Sequence, residues 1–166
     1  MSVKITTAKT AGFCFGVARA VDCVEKLIAS GAHVCTFGPL IHNPGFIMHL
    51  EEKGVYAVTR VEDIPDDATV VLRAHGVPRE IQTKIEAKAA CVVDGTCPFV
   101  KKIHRIVDDR SAAGEAVIIA GDPTHPEVLG IKSYAKTEAF VINGINELKK
   151  LTTEHSELVQ KPVCMV

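Results

Sequence analysis

Short β-branched runs alternate with amphipathic stretches from one end of the chain to the other. The runs predict strands near Val3–Thr7, His33–Phe37, Val55–Val58, Thr69–Arg73, Cys91–Asp94, Ala116–Ala120, Ala139–Ile142 and Pro162–Val166. Between them, Val17, Val21, Val24, Leu27 and Ile28 share one face at helical spacing and predict a helix over Val17–Ala29. Val100, Ile103, Ile106 and Val107 do the same for Phe99–Ala112. Pro44, Pro78, Pro98 and Pro126 stand where helices would begin, a position that tolerates a missing N–H. Gly31, Gly54 and Gly114 stand where helices would end. Alternation of this kind predicts an α/β fold with mostly parallel sheets under helical cover. A weak recurrence of strand, Cys- or His-bearing loop and Pro-led helix divides the chain into two small related α/β units, 1–96 and 97–166. The last run, KPVCMV, stops without a turn or cap, so the second unit is expected to be incomplete.

Composition narrows the classes. The chain has 166 residues, enough for a core without disulfide staples. It is 47% hydrophobic and 23% charged, as for an ordinary globular protein. A net charge of −1 gives no electrostatic footprint for nucleic acid or a membrane surface. With no Trp and two Tyr, base-stacking platforms are not expected either. No run is long enough to cross a bilayer and the N-terminus lacks an apolar signal, so the expected location is cytoplasmic. The six cysteines are then expected as thiols, core residues or metal ligands, not disulfides.

The chemistry concentrates in loops expected at strand ends: AGFCFG (Ala11–Gly16), FGPLIHNP (Phe37–Pro44), RAHGVP (Arg73–Pro78), DGTCP (Asp94–Pro98) and GDPTHPEV (Gly121–Val128). Ligands of open α/β sheets bind outside the carboxyl ends of strands, where such loops converge. Cys14 and Cys97 each precede a predicted helix, whose N-terminus favours a thiolate able to bind metal or attack. Gly and Pro around them make poor core positions. Cys23, Cys35, Cys91 and Cys164 fall in helix or strand patterns and are expected as buried small hydrophobes. His42, His75 and His125 can donate to phosphate oxygens when protonated or bind a metal when neutral. His33, His49, His104 and His155 have no such context and receive no role. Asn43 can face an anion or simply form the turn before Pro44. Glu127 reads equally as a helix-start residue or as a proton donor at the mouth of the site. No GxGxxG, GxxxxGK[ST] or CxxC is present, so nucleotide loops and thioredoxin-like pairs are not signalled.

In order and spacing, AGFCFGVARAV, GPLIHNP, RAHGV, DGTCPFVKKIH and GDPTHPEVLG resemble the motifs of the 4-hydroxy-3-methylbut-2-enyl diphosphate reductase family, from the first predicted strand to at least Gly130. The resemblance implies α/β domains, three in the family, around a 4Fe-4S cluster held by three cysteines. Cys14 and Cys97 would be the first two ligands, and His42, His75 and His125 would contact the substrate diphosphate. Glu127 would deliver protons. The implied reaction is reductive dehydroxylation of 4-hydroxy-3-methylbut-2-enyl diphosphate to isopentenyl and dimethylallyl diphosphate, the final step of non-mevalonate isoprenoid biosynthesis. Electrons would come from an external donor such as ferredoxin or flavodoxin. The chain stops before the family's QTT-like motif, third cysteine and serine/asparagine diphosphate ligands, which implies a truncated form lacking the third unit. The competing expectations are a non-catalytic fragment that keeps the loops, or a zinc-binding module using Cys14, Cys97 and a histidine.

Overall fold

Strand and helix alternate as the apolar periodicity dictates. The computed structural model describes residues 3–166. In order the elements are α1 (Phe15–Ala29), β1 (Val34–Phe37), α2 (Pro44–Glu52), β2 (Tyr56–Val58), β3 (Thr69–Leu72), α3 (Arg79–Lys88), β4 (Cys91–Asp94), α4 (Pro98–Ala112), β5 (Ala116–Ala120), α5 (Pro126–Lys132), β6 (Ala139–Ile142), α6 (Ile145–Glu154) and β7 (Val163–Met165). Short 3₁₀ turns lie at Val61–Asp63 and Ser156–Val159.

Two parallel sheets result, one in the order β2-β1-β3-β4 and the other β6-β5-β7. Central strands of parallel sheets are buried on both faces, and β1, β3 and β5 follow the rule, whereas the edge strands β2, β4 and β6 are only partly buried. On one face of the first sheet, Val34, Leu40, Val71 and Ala74 pack with Ala20 and Val24 of α1 and Leu50 of α2. On the other, Cys35, Val70 and Leu72 pack with Val77 and Ile85 of α3. In the second sheet Val117 and Ile119 meet Val107 of α4 and Val128 and Ile131 of α5, while Ile118 and Ile142 meet Leu151 of α6. Helix α4 therefore starts at the strand-end edge of the first sheet and is buried on the second.

Strand order places the ligand edge. From β1 the chain crosses through α2 to β2 on one side, then returns to β3 on the other, so the connections diverge between β1 and β3. In the second sheet β5 leads through α5 to β6 on one side, and β7 returns on the other. Crevices open at such reversals, outside the carboxyl ends of the strands.

Several sequence expectations need correction. Val3–Thr7 is not a strand: Val3 and Ile5 are 83% and 86% exposed. An alternating run becomes a strand only where a sheet edge and an apolar layer receive it, and none does so here. The AGFCFG segment thus leads directly into α1 and does not follow a strand. Pro78 caps α3 from outside, whereas Pro44, Pro98 and Pro126 are the first residues of their helices. Cys35 and Cys164 are buried as expected, but Cys91 is exposed and Cys23 half-buried. Cys91 opens β4, which among the described residues is an edge strand, so its apolar pattern overstated its burial.

Candidate active site

Cys14 is the N-cap of α1 and Cys97 the N-cap of α4, and neither helix start has a side-chain cap. Each thiol thus sits beside unpaired N–H groups at the positive end of a fifteen-residue helix. The two helix starts are packed together. A Cβ built on Gly16 would lie 2.6 Å from Cys97 Sγ, so the Cys97 thiol rests on bare backbone two residues from Cys14. Arg19 ties α1 to this place by donating to the carbonyls of Thr96 (3.3 Å) and Gly95 (3.4 Å). The Cys97 N–H donates to the Ala74 carbonyl at 2.9 Å, which anchors the thiol loop to the loop bearing His75. Asp94 shapes the same turn by accepting from the Thr96 N–H at 2.9 Å.

Three strand-end loops bring their imidazoles together. Ring centroids of His42 and His75 are 5.1 Å apart, those of His75 and His125 5.7 Å, and those of His42 and His125 6.5 Å. His42 and His75 come from the divergent connections after β1 and β3, and His125 from the loop after β5, so both sheets contribute. Asp122 folds that last loop by accepting from the Thr124 N–H and hydroxyl. His125 Nδ1 accepts from the Glu127 N–H at 3.2 Å, so in the neutral ring the proton sits on Nε2. Glu127 is held beside His125, and the two line a cavity of ≈ 360 Å³ with Asp122 and Gly121. Asn43 spends its side-chain oxygen on the Phe46 N–H as the N-cap of α2, which explains it by turn formation.

The electrostatics favour an anion. Burial first, then the nearby His42, Arg73 and His125, lower the His75 pKa below the ordinary histidine value. Burial also lowers that of Arg73. Arg73 escaped the sequence reading, although a charged residue ending the apolar run TVVL was a signal. Its guanidinium lies against Gly38: a Cβ there would fall 2.9 Å from Arg73 Nη1, and the Gly38 φ of +72° also calls for glycine. Arg73 Nε and His75 Nδ1 are both buried without a hydrogen-bond partner. Two such nitrogens in one cleft are costly unless something accepts from them. Among the described residues, no group of three or more His, Cys, Asp or Glu side chains is arranged to hold a metal ion, and no helix is long and apolar enough to cross a membrane.

His104 also received no role, and among the described residues it is the buried histidine, 5% exposed. It repeats with Val100, Val107 and Ser111 on the inner face of α4, a spacing that was visible in the sequence. Burial lowers its pKa to about 4. The unfolded chain takes up this proton below about pH 6.5, while the folded chain refuses it until about pH 4, so stability is lost as pH falls between those values. A gap of this size is worth roughly 3 kcal/mol. Urea unfolding at pH 7.5 and 4.5 is expected to show that loss, and His104→Phe to remove most of the pH-dependent difference. An equal acid loss in both proteins would exclude His104 as its source.

A family model described as "LytB protein" matches residues 5–166. The 4-hydroxy-3-methylbut-2-enyl diphosphate reductase of Clostridioides difficile (strain 630) is 39% identical over 170 residues, covering 100% of this chain and 58% of the relative. The protein of the same name from Geotalea uraniireducens is 42% identical over 149 residues, covering 90% of this chain and 52% of the relative. A solved structure of (E)-4-hydroxy-3-methyl-but-2-enyl diphosphate reductase superposes with a TM-score of 0.79 at 30% identity, covering 96% of this chain and 65% of its own. The Plasmodium falciparum reductase structure gives a TM-score of 0.82 at 24% identity, over 95% of this chain and 57% of its own, and speaks for the fold alone. The chain spans little more than half the length of these curated relatives.

Proposed function

Since the chain belongs to the LytB protein family, we propose that it supplies the cysteine and histidine loops of a 4-hydroxy-3-methylbut-2-enyl diphosphate reductase. The observation that carries this reading is the junction of two helix-capping thiols with a cleft of three histidines and two unpartnered buried nitrogens. Cys14 and Cys97 fit a 4Fe-4S cluster as two of its ligands, since both begin helices and Cys97 Sγ packs on Gly16, two residues from Cys14. When bound, such a cluster supplies electrons and a Lewis-acidic iron for the allylic hydroxyl.

The residues of this chain do the rest. His42, His75 and His125 hold the diphosphate, with Arg73 as a fixed charge behind them. Clustered donors of this kind explain how a nearly neutral protein holds a highly charged group. Glu127, fixed next to His125, releases a proton towards the departing hydroxyl. The balance is two electrons and two protons taken up, one C–O bond broken, one C–H bond formed and one water released. Electrons enter from an external carrier such as ferredoxin or flavodoxin, and residues 1–96 and 97–166 act as the two units that close the cleft.

Anaerobic reconstitution with iron and sulfide tests the reading. Bound iron and sulfide with visible charge-transfer absorption, lost in Cys14→Ser and Cys97→Ser, is expected. Zinc retained in their place would support the zinc-module alternative, and no metal at all the non-catalytic fragment.

Anion binding has its own signature. His75 is neutral in the free protein near pH 7, and a bound polyanion raises its pKa. Binding of inorganic diphosphate is therefore expected to take up protons, with affinity rising as pH falls towards the free His75 value and levelling below it. Calorimetry in buffers of different ionisation enthalpy measures that uptake. His75→Gln is expected to remove most of it and to weaken binding by about tenfold, the value of one lost charge-assisted hydrogen bond. Proton release on binding, or an uptake unchanged in His75→Gln, would show that the anion sits elsewhere.

A further inference from the structure

The role of His104 goes beyond the reading above and rests on it. Its imidazole lies flat on the ring of Tyr134, centroids 4.1 Å apart and planes 15° from parallel. The Arg79 guanidinium also sits over the Tyr134 ring at 4.8 Å. Arg79 pairs with Asp108 of α4 at 3.2 Å, and its N–H donates to Ser133 Oγ at 2.9 Å. Arg79 belongs to α3 of the first sheet, whereas Asp108, Ser133 and Tyr134 belong to helices and turns packed on the second. The stack is thus a joint between the two sheets.

The imidazole edge reaches the roots of the site loops. A Cβ on Gly76 would lie 3.1 Å from His104 Cε1 and 3.1 Å from Thr96 Cγ2. A Cβ on Gly130 would lie 3.8 Å from His104 Nε2 and 3.9 Å from the His75 carbonyl oxygen. Gly76 follows His75, Thr96 precedes Cys97, and Gly130 lies on α5 beyond His125 and Glu127. One buried ring therefore adjoins two loops and one helix that carry the candidate chemistry. Its Nε2 has no hydrogen-bond partner, so its contribution there is shape.

We infer that His104 is a positioning residue: wedged against Gly76 and Gly130 and clamped by Tyr134, its ring sets the separation of His75 from His125 and so the grip of the histidine cleft on a diphosphate. A core residue that only stabilised the fold would leave the properties of His75 unchanged in any variant that still folds. A spacer for the cleft does not.

The test compares His104→Ala, which removes the wedge, with His104→Phe, which keeps a flat ring and no nitrogen. NMR titration reports His75, and calorimetry reports affinity for inorganic diphosphate. In His104→Ala, the His75 midpoint is expected to rise towards the ordinary histidine value as water enters and the neighbouring imidazoles move away. Diphosphate affinity is expected to fall about tenfold. His104→Phe should keep both within about twofold of the parent. A folded His104→Ala protein with the parent's His75 midpoint and affinity overturns the inference. Should that variant unfold, Tyr134→Leu, which removes the clamp and leaves the wedge, must raise the His75 midpoint for the inference to stand. If the parent chain binds no diphosphate, the anion-site reading fails, while the His75 titration still decides the role of His104.

Discussion

Gly16→Ala is expected to abolish cluster incorporation while leaving α1 helical. The added methyl would meet Cys97 Sγ at 2.6 Å and Cys97 Cβ at 2.9 Å, both below any ordinary carbon contact. The helix itself favours the change, because alanine exceeds glycine in helix propensity by about 1 kcal/mol. Any loss must therefore come from the contact between the two helix starts. Either Cys97 turns away or α1 slides, and the paired thiols separate. Iron and sulfide content after anaerobic reconstitution should fall by more than tenfold, with the far-ultraviolet circular dichroism unchanged. Parent-like iron and sulfide in this variant would mean that Cys14 and Cys97 do not act as a pair.

On the proposed function, Glu127→Gln in an intact form of the enzyme is expected to reduce reductase turnover by about 10²–10⁴-fold, the range for removal of a positioned acid. Glutamine keeps the size and the hydrogen-bonding shape, and the backbone N–H of residue 127 still caps His125 Nδ1. Cluster content and diphosphate affinity should consequently stay at parent values. Loss of turnover with both retained assigns the proton to this carboxyl. Near-parent turnover would leave Glu127 as a residue that merely begins α5.

Much of this was legible from spacing. Apolar runs located the seven strands within a few residues, helical spacing located α1 and α4, and prolines marked the starts of α2, α3 and α5, whereas α6 went unread; Gly31, Gly54 and Gly114 do adopt the positive φ of helix ends. His42, His75 and His125 could be grouped because each lies in a loop after a parallel strand, although His125 belongs to the second sheet and the meeting of the two sheets was not legible. Other features depend on pairing, which a one-dimensional pattern does not carry. Val3–Thr7 has the alternation of a strand but no partner, and Cys91 has a core-like neighbourhood but an edge position. Arg73 and His104 were passed over for a related reason. Their significance comes from Gly38, Gly76 and Gly130, residues distant in sequence whose missing side chains make the room.

The passage of α4 from one sheet to the other has a consequence for the order of assembly. All strands of the first sheet lie between Val34 and Asp94, so it can close while the rest of the chain is still being synthesised. Domains generally fold as units in order of emergence. Cys14, His42 and His75 are then in place before the partner strands of β5 exist. Cys97 joins them as α4 begins, but α4 finds its burial only once β5 has paired with β7. At 5–20 residues per second, the stretch of nearly seventy residues after Cys97 takes roughly 3–14 s to make. For that interval the nascent protein presents a pair of thiols with no second layer behind them, and metal delivered then would meet a half-formed cradle. If the two thiols hold a cluster as proposed, the timing of its insertion would be set by the second sheet, which carries neither cysteine of the pair.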